Sequence, residues 1–322
     1  MTILLTGCAG FIGSHLLERL LSDGHHIIGV DSFNDFYDPK QKRANIAQSL
    51  SNKNFSLIEK DVRDLAINDL QSFKIQGSSS TIIHLAARAG VSPSLQDPLL
   101  YDSVNVGGTI KLLELAKTMK VSSFIFGSSS SVYGGSEQAP FREDQECLPI
   151  SPYGVTKRAG ELLMHTYTHV YGIKTVCLRF FTVYGPRNRP DMAMFRFTKA
   201  ISLGEPIQLN GEKTIRDFTF VGDIVEGIVR SMEPRYASTF QPFEIINLGG
   251  ASPVAIIDLV HEMEKIIGKK AQMTLRSLPN SEMKLTSADI TKAKKLLGWS
   301  PKTPLSEGLS KLWAWYQHEH GS

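Results

Sequence analysis

The chain has 322 residues, 42% of them hydrophobic, and a formal net charge of +3. That length accommodates one large α/β domain plus a smaller lobe. The charge is spread along the chain, no Lys/Arg run interleaved with aromatics marks a nucleic-acid face, and no apolar stretch approaches the roughly 20 residues that a bilayer crossing needs.

Cys8, Cys147 and Cys177 are far apart and show no metal spacing. Cys8 and Cys177 lie in apolar segments, so they read as buried free thiols in a reduced, cytoplasmic compartment, with no metal site. The run Ile3-Leu4-Leu5 breaks at Gly7 and lacks a basic leader, which makes it a strand and not a signal peptide.

In chain order, residues 2–6 form a short apolar strand followed by the glycine-rich run 7–13. Residues 14–21 carry a helical pattern of Leu16, Leu17, Leu20 and Leu21. A second strand, 26–30, ends at Asp31; a third, 55–59, leads into Asp61. Residues 77–80 make a small polar turn, and 81–84 form a strand leading into Leu85, Ala86 and Ala87. A long helix is expected over 99–119, with strands at 123–126 and 175–179. Strands separated by helices imply parallel β-α-β units with right-handed crossovers, hence a doubly wound α/β (Rossmann) sheet.

After about residue 182 the alternation becomes irregular, and Pro186 and Pro190 frame a basic loop. The expected division is a nucleotide-binding domain over 1–182 and a smaller C-terminal α/β substrate lobe, mainly 183–322. Segments 218–230 and 243–248 are expected to return to the first domain. The lobe would lie over the carboxyl edge of the sheet, where ligands of such folds bind.

Gly7-x-x-Gly10-x-x-Gly13 is one residue longer in its first spacing than the G-x-G-x-x-G dinucleotide fingerprint. Its glycines permit a tight turn and a close backbone approach to pyrophosphate, and the next helix points its amides at that charge. The loop follows a strand, opens a helix and precedes Asp31 at the end of strand two. Asp31 there would bond the adenosine ribose hydroxyls and repel a 2′-phosphate, favouring NAD over NADP. Asp61 either reaches the adenine edge or caps the turn before Arg63 and Asp64.

Tyr153 and Lys157 stand four residues apart, on one helical face. A phenol with a reference pKa of about 10 is a poor base at neutral pH. A neighbouring ammonium favours the phenolate, which would make Tyr153 a proton acceptor acting in step with hydride transfer.

These pieces together resemble the extended short-chain dehydrogenase/reductase family, in its nucleotide-sugar epimerase branch. The matching stretches are Thr-Gly-Cys-Ala-Gly-Phe-Ile-Gly-Ser-His (6–15), His-Leu-Ala-Ala (84–87), Gly-Ser-Ser-Ser-Ser-Val-Tyr-Gly (127–134), Ser-Pro-Tyr-Gly-Val-Thr-Lys (151–157) and Arg-Asp-Phe-Thr-Phe-Val-Gly-Asp-Ile (216–224). Within that branch, segments 33–39 and 179–193 look most like UDP-glucuronate 4-epimerases. The resemblance implies a catalytic triad of Ser129, Tyr153 and Lys157. It also implies an NAD cradle of Gly7, Gly10, Phe11, Ile12, Gly13, Asp31, Asn34, Asp61, Val62, Leu85, Ala86, Ala87, Tyr153 and Lys157. The implied substrate contacts are Arg88, Ser129, Ser130, Ser131, Thr182, Arg189, Lys199 and Arg216, with Lys199 equally readable as a solvated helix lysine. Residues 276–282 do not match the family's element at the second phosphate. A homodimer through the helices near 99–119 and after Tyr153 is implied as well, although the monomer's own sheet could cover the same apolar faces.

The residues before Val132-Tyr133-Gly134 separate the possible reactions. Related 4,6-dehydratases carry an acidic pair there and related decarboxylases a glutamate; this chain has Ser130 and Ser131. Hydroxyls bind sugar oxygens but cannot act as an elimination pair at neutral pH. The expectation is therefore NAD-dependent C4 epimerisation of UDP-glucuronate to UDP-galacturonate through a 4-keto intermediate. Arg189 would grip the C6 carboxylate, with Arg187 as the alternative or as a structural ion-pair partner. A UDP-glucose/UDP-galactose 4-epimerase would share the triad without the arginine grip. A non-catalytic NAD-binding regulator would usually have lost the tyrosine or the lysine.

Overall fold

The computed structural model describes every residue except 74, 76–79, 122, 137, 212, 234–239 and 322. The strands are β1 (Thr2–Thr6), β2 (His26–Asp31), β3 (Phe55–Glu59), β4 (Ser80–His84), β5 (Ser123–Ser129), β6 (Lys174–Phe180), β7 (Thr182–Tyr184), β8 (Pro206–Asn210), β9 (Ile215–Phe220), β10 (Phe243–Leu248), β11 (Pro253–Ala255) and β12 (Gln272–Arg276). The polar turn expected over 77–80 falls outside the described residues except for Ser80, which opens β4.

Among the described residues, seven strands form one sheet in the order β10-β6-β5-β4-β1-β2-β3. Every pairing in it is parallel. The order reverses between β1 and β4, the switch point at whose carboxyl side a crevice opens. Aliphatic runs such as Ile3-Leu4-Leu5 suit a central strand covered on both faces. Ile3 and Leu5 pack in one layer with Leu16, Leu17 and Leu20 of the helix Phe11–Ser22. Leu4 points the other way, into a layer with Leu112 and Leu113 of the helix Gly108–Thr118. Truncating such a fully buried leucine to alanine costs about 2–5 kcal/mol.

The helix expected over 99–119 is interrupted. An α turn at Pro98–Tyr101 gives way to a wide π turn over Asp102–Gly107 before the α-helix Gly108–Thr118. The side chain of Asn105, within that π turn, reaches two other elements. It accepts from Arg88 N at 2.7 Å and donates to Arg88 O at 2.9 Å and to Thr156 Oγ1 at 3.0 Å. Such π bulges gather at functional sites, and this one ties the β4 carboxyl end to the helix Pro152–Tyr171.

Beyond residue 182 two small sheets form: β11-β9-β7, and β12 paired in parallel with β8. Their shared core includes Tyr184, Met194, Phe197, Leu259 and Leu312. β10 pairs in parallel with β6 at the edge of the large sheet, Phe243 opposite Thr175. The helix Val221–Met232 meets the helix Phe11–Ser22 through an Arg19–Glu226 ion pair at 2.9 Å. Residues Phe218 to Phe220, by contrast, pair with Thr182 to Tyr184 in the second sheet. No helix among the described residues is long and apolar enough to cross a membrane.

Candidate active site

The glycine loop is shaped so that side chains cannot enter it. Gly7 has φ +72°, and a Cβ there would lie 2.7 Å from Ala86 N; a Cβ on Gly13 would lie 1.9 Å from Gly7 O. Gly10 N donates to Gly7 O at 3.1 Å, and the helix then starts at Phe11, three residues before the expected start at Ser14. Gly10, Phe11, Ile12, Gly13, Asp31, Asn34, Asp61, Val62, Leu85, Ala86, Ala87, Tyr153 and Lys157 line one groove together with Gly7. That is every cofactor residue expected from the sequence.

Asp31 is buried and accepts from Ala9 N at 3.1 Å and Phe33 N at 3.0 Å. Burial pushes its carboxyl up, while the Phe33 amide and the Lys42 ammonium pull it back down. Asp61 lines the groove and also caps the turn: it accepts from Arg63 N at 2.9 Å and holds the Arg63 guanidinium in a fork. That guanidinium keeps the Asp61 carboxyl below its usual range.

Tyr153 and Lys157 are carried by the first turns of the helix Pro152–Tyr171, started by Pro152 and by Ser151, whose hydroxyl accepts from Gly154 N at 3.1 Å. Lys157 is buried; its Nζ donates to Gly127 O at 2.7 Å and stands 4.9 Å over the Phe126 ring. Burial draws its pKa down to about 8, against the opposing charge of Glu161. The Tyr153 ring meets Tyr101 edge-on at 6.4 Å. Burial pushes the Tyr153 phenol up, and a hydrogen bond with Ser129 and the Arg189 charge oppose that rise. This differs from the expected effect of Lys157: the ammonium is committed to the Gly127 carbonyl, and it is Ser129 that eases the phenol. The Ser129 hydroxyl in turn donates to Ser131 Oγ at 3.2 Å and accepts from Ser131 N at 3.1 Å.

A second recess adjoins the serine run. Ser130, Ser131, Thr182 and Arg216 line it, with Ser281, Glu282 and Met283 forming the wall that the sequence left unmatched. Arg216 donates to Ile215 O at 3.0 Å, and its guanidinium lies 3.7 Å from Glu282. Burial lowers its pKa.

The remaining arginines are placed less simply. Arg189 lines the cofactor groove, yet its fork is filled by Asp191 through bonds of 2.9 and 2.8 Å. Arg187, at φ +62°, pairs with Glu18 at 2.6 Å, which matches its structural reading. Arg88 stands beside the groove, 3.9 Å from Asp35 and over the ring of Phe36. Lys199 is exposed on the helix Ala193–Leu203 and lines neither recess.

Two buried residues escaped the sequence reading. Lys42 lines the groove and donates to Asn34 O at 2.7 Å and Asn34 Oδ1 at 3.0 Å. Glu161 lies one further turn along the Tyr153–Lys157 face, and that i, i+4 step was the signal available for it.

Residues 4–312 match the family described as GDP-mannose 4,6 dehydratase. The chain is similar to a UDP-glucuronate 4-epimerase of Thermodesulfobacterium geofontis, 42% identical over 97% of this chain and 95% of that protein. It is also similar to the crystal structure of UDP-glucuronic acid 4-epimerase from Bacillus cereus in complex with UDP-glucuronic acid and NAD. There the TM-score is 0.92 and the identity 39%, covering 99% of this chain and 100% of that one. A UDP-glucose 4-epimerase from Thermotoga maritima with UDP-glucose gives a TM-score of 0.88 at 29% identity, covering 99% of both chains. Sequence match, strand order and whole-chain similarity agree, and the chain belongs to the GDP-mannose 4,6 dehydratase-like family of short-chain dehydrogenase/reductases.

Proposed function

We propose that this protein inverts C4 of a UDP-uronic acid, converting UDP-glucuronate to UDP-galacturonate through a 4-keto sugar, with NAD held in the groove. The observation that carries the reading is the meeting of Tyr153 and Lys157 in a groove walled by Gly7, Gly13 and Asp31. The side-chain-free cradle at Gly7 and Gly13 suits a pyrophosphate, and Asp31 suits a ribose diol. When bound, NAD supplies the hydride acceptor and returns the hydride within the same cycle. Tyr153 takes the proton of the C4 hydroxyl as the carbonyl forms, and Ser129 bonds the same oxygen and shares that proton. Lys157 holds the nicotinamide ribose. The ketone then turns over while Arg216 and the recess around it keep the diphosphate in place, so that the returning hydride would meet the opposite face of C4 while Tyr153 gives the proton back to the C4 oxygen.

Family membership alone does not select epimerisation over dehydration. The hydroxyls of Ser130 and Ser131, where elimination needs ionisable acids, support epimerisation. Relatives and solved structures named as UDP-glucuronate 4-epimerases support a uronate substrate. One observation favours a neutral hexose as the second reading: Asp191 already fills the Arg189 fork, so a sugar without a carboxylate leaves that pair intact. Competition between UDP-glucuronate and UDP-glucose separates the two readings.

We assign cofactor binding to residues 1–182, with returns at 218–230 and 243–248, and the UDP-sugar mainly to 183–322. Leu99, Val155 and Leu162 expose 81%, 52% and 53% of their surfaces on the helices expected to pair, which supports a homodimer that light scattering would test. Three free thiols support a reducing, cytoplasmic setting.

A further inference from the structure

Two successive residues at the carboxyl end of β5 are bonded to two side chains one helical turn apart. Gly127 O accepts from Lys157 Nζ at 2.7 Å, and Ser128 Oγ donates to Glu161 Oε1 at 2.6 Å. The next residue is Ser129. These two rungs clamp the helix Pro152–Tyr171 to the strand that delivers the serine run.

Glu161 is fully buried. Besides Ser128, its carboxylate accepts from Arg179 Nε at 2.8 Å, Arg179 Nη2 at 2.9 Å and Arg158 Nη1 at 2.9 Å. Arg179 is itself 1% exposed and lies 4.7 Å over the Tyr133 ring. Removing one partner of a buried pair strands the other charge, so the set is held as a unit.

Among the described residues, the titratable groups whose charge reaches Lys157 are Glu161 on its own helix, Cys177 on β6 and His84 on β4, while Arg158 and Arg179 pair with Glu161. Burial pushes the Cys177 thiol up and the His84 imidazole down to about 3, so both are neutral at physiological pH. Burial likewise pushes the Tyr153 phenol up, against the Ser129 hydrogen bond and the Arg189 charge. Glu161 is the remaining negative charge in that set.

We propose that Glu161 is a positioning residue of this active site. Through Ser128 it fixes the end of β5 that bears Ser129, and one helical turn from Lys157 its carboxylate supplies the opposing charge for that buried group. The proposal rests on Tyr153 and Lys157 being the reacting pair, whichever sugar they serve.

The test uses the dinucleotide-loaded protein. Competitive acetylation of Lys157 with acetic anhydride, followed by mass spectrometry from pH 6 to 10, gives the pH of half-reaction directly and without substrate. In Glu161→Gln that point should fall by about one pH unit, and the alkaline limb of kcat should fall with it, while KM changes less than about twofold. A half-point unmoved in folded Glu161→Gln overturns the electrostatic role, even if activity drops. Ser128→Ala removes only the clamp's hydroxyl and covers the case in which Glu161→Gln does not fold. It should lower kcat about tenfold, leaving KM, bound dinucleotide and the Lys157 half-point unchanged; an unchanged kcat overturns the proposal. Because acetylation needs no sugar, a wrong substrate assignment would leave the half-point result intact.

Discussion

Lys157 Nζ lies 2.7 Å from the Gly127 carbonyl oxygen, and that bond spends the ammonium on the strand below instead of on the neighbouring phenol. Burial has drawn the ammonium's pKa to about 8. The charged form therefore dominates below pH 8 and is lost above it. Turnover should decline between about pH 8 and 9 as the cofactor-holding charge disappears. A kcat profile level to pH 10 would contradict this.

Gly13→Ala places a methyl group 1.9 Å from Gly7 O, a separation no Cβ tolerates. The loop has to open, and the helix amides move away from the pyrophosphate site. The variant should fold yet be purified with under a tenth of the wild-type dinucleotide, as read by chromatography of the heat-released nucleotide.

The Arg189–Asp191 pair distinguishes the two substrates. For Arg189 to hold a C6 carboxylate, its bonds of 2.9 and 2.8 Å to Asp191 have to be exchanged for bonds to the sugar. Arg189→Ala should then cut kcat/KM for UDP-glucuronate at least about tenfold, spare UDP-glucose, and allow decarboxylated product to appear. A 4-keto uronate is a β-keto acid, and an unrestrained carboxylate can reach the alignment that carbon dioxide loss requires. Equal losses on both sugars would favour the neutral-hexose reading.

Asp217 next to Arg216 is a buried rivet: its Oδ2 accepts from Ala288 N at 2.7 Å and Ala251 N at 3.2 Å. Burial pushes its pKa up to about 6, against those amides. The folded value lies above the unfolded one, so this group's stabilisation is complete below about pH 4 and is lost as pH rises through about 6. Relative to Asp217→Asn, which does not titrate, the wild type should gain about 1–3 kcal/mol on going from pH 7 to pH 4. Parallel thermal melts read that difference, and a gap independent of pH would contradict it.

Much of this arrangement was legible in the residue order. Aliphatic runs leading into Gly7 and Asp31 located β1 and β2, because strands covered on both faces need little else, and the edge strand β3 was marked by Leu57 and Ile58 before Asp61. The Tyr153–Lys157 spacing specified one helical face regardless of context. What stayed hidden depends on distant partners. The π turn at Asp102–Gly107 contains Asn105, whose side chain bonds Arg88 and Thr156, one of them 51 residues away. Lys42 and Glu161 look like surface charges until their burial is known. The filling of the Arg189 fork by Asp191 was within reach, since the two are separated by one residue, but a loop offers no periodicity to show which way its side chains turn.

The most direct test of the account is to incubate UDP-glucuronate with the purified protein and follow C4 of the sugar by NMR, with Tyr153→Phe in parallel. Wild-type protein should form UDP-galacturonate without added or consumed NAD, and Tyr153→Phe should keep its dinucleotide while losing about 10²-fold or more of the rate. Retention of the C4 configuration by the wild type, or C4 inversion at the full rate by Tyr153→Phe, would contradict it.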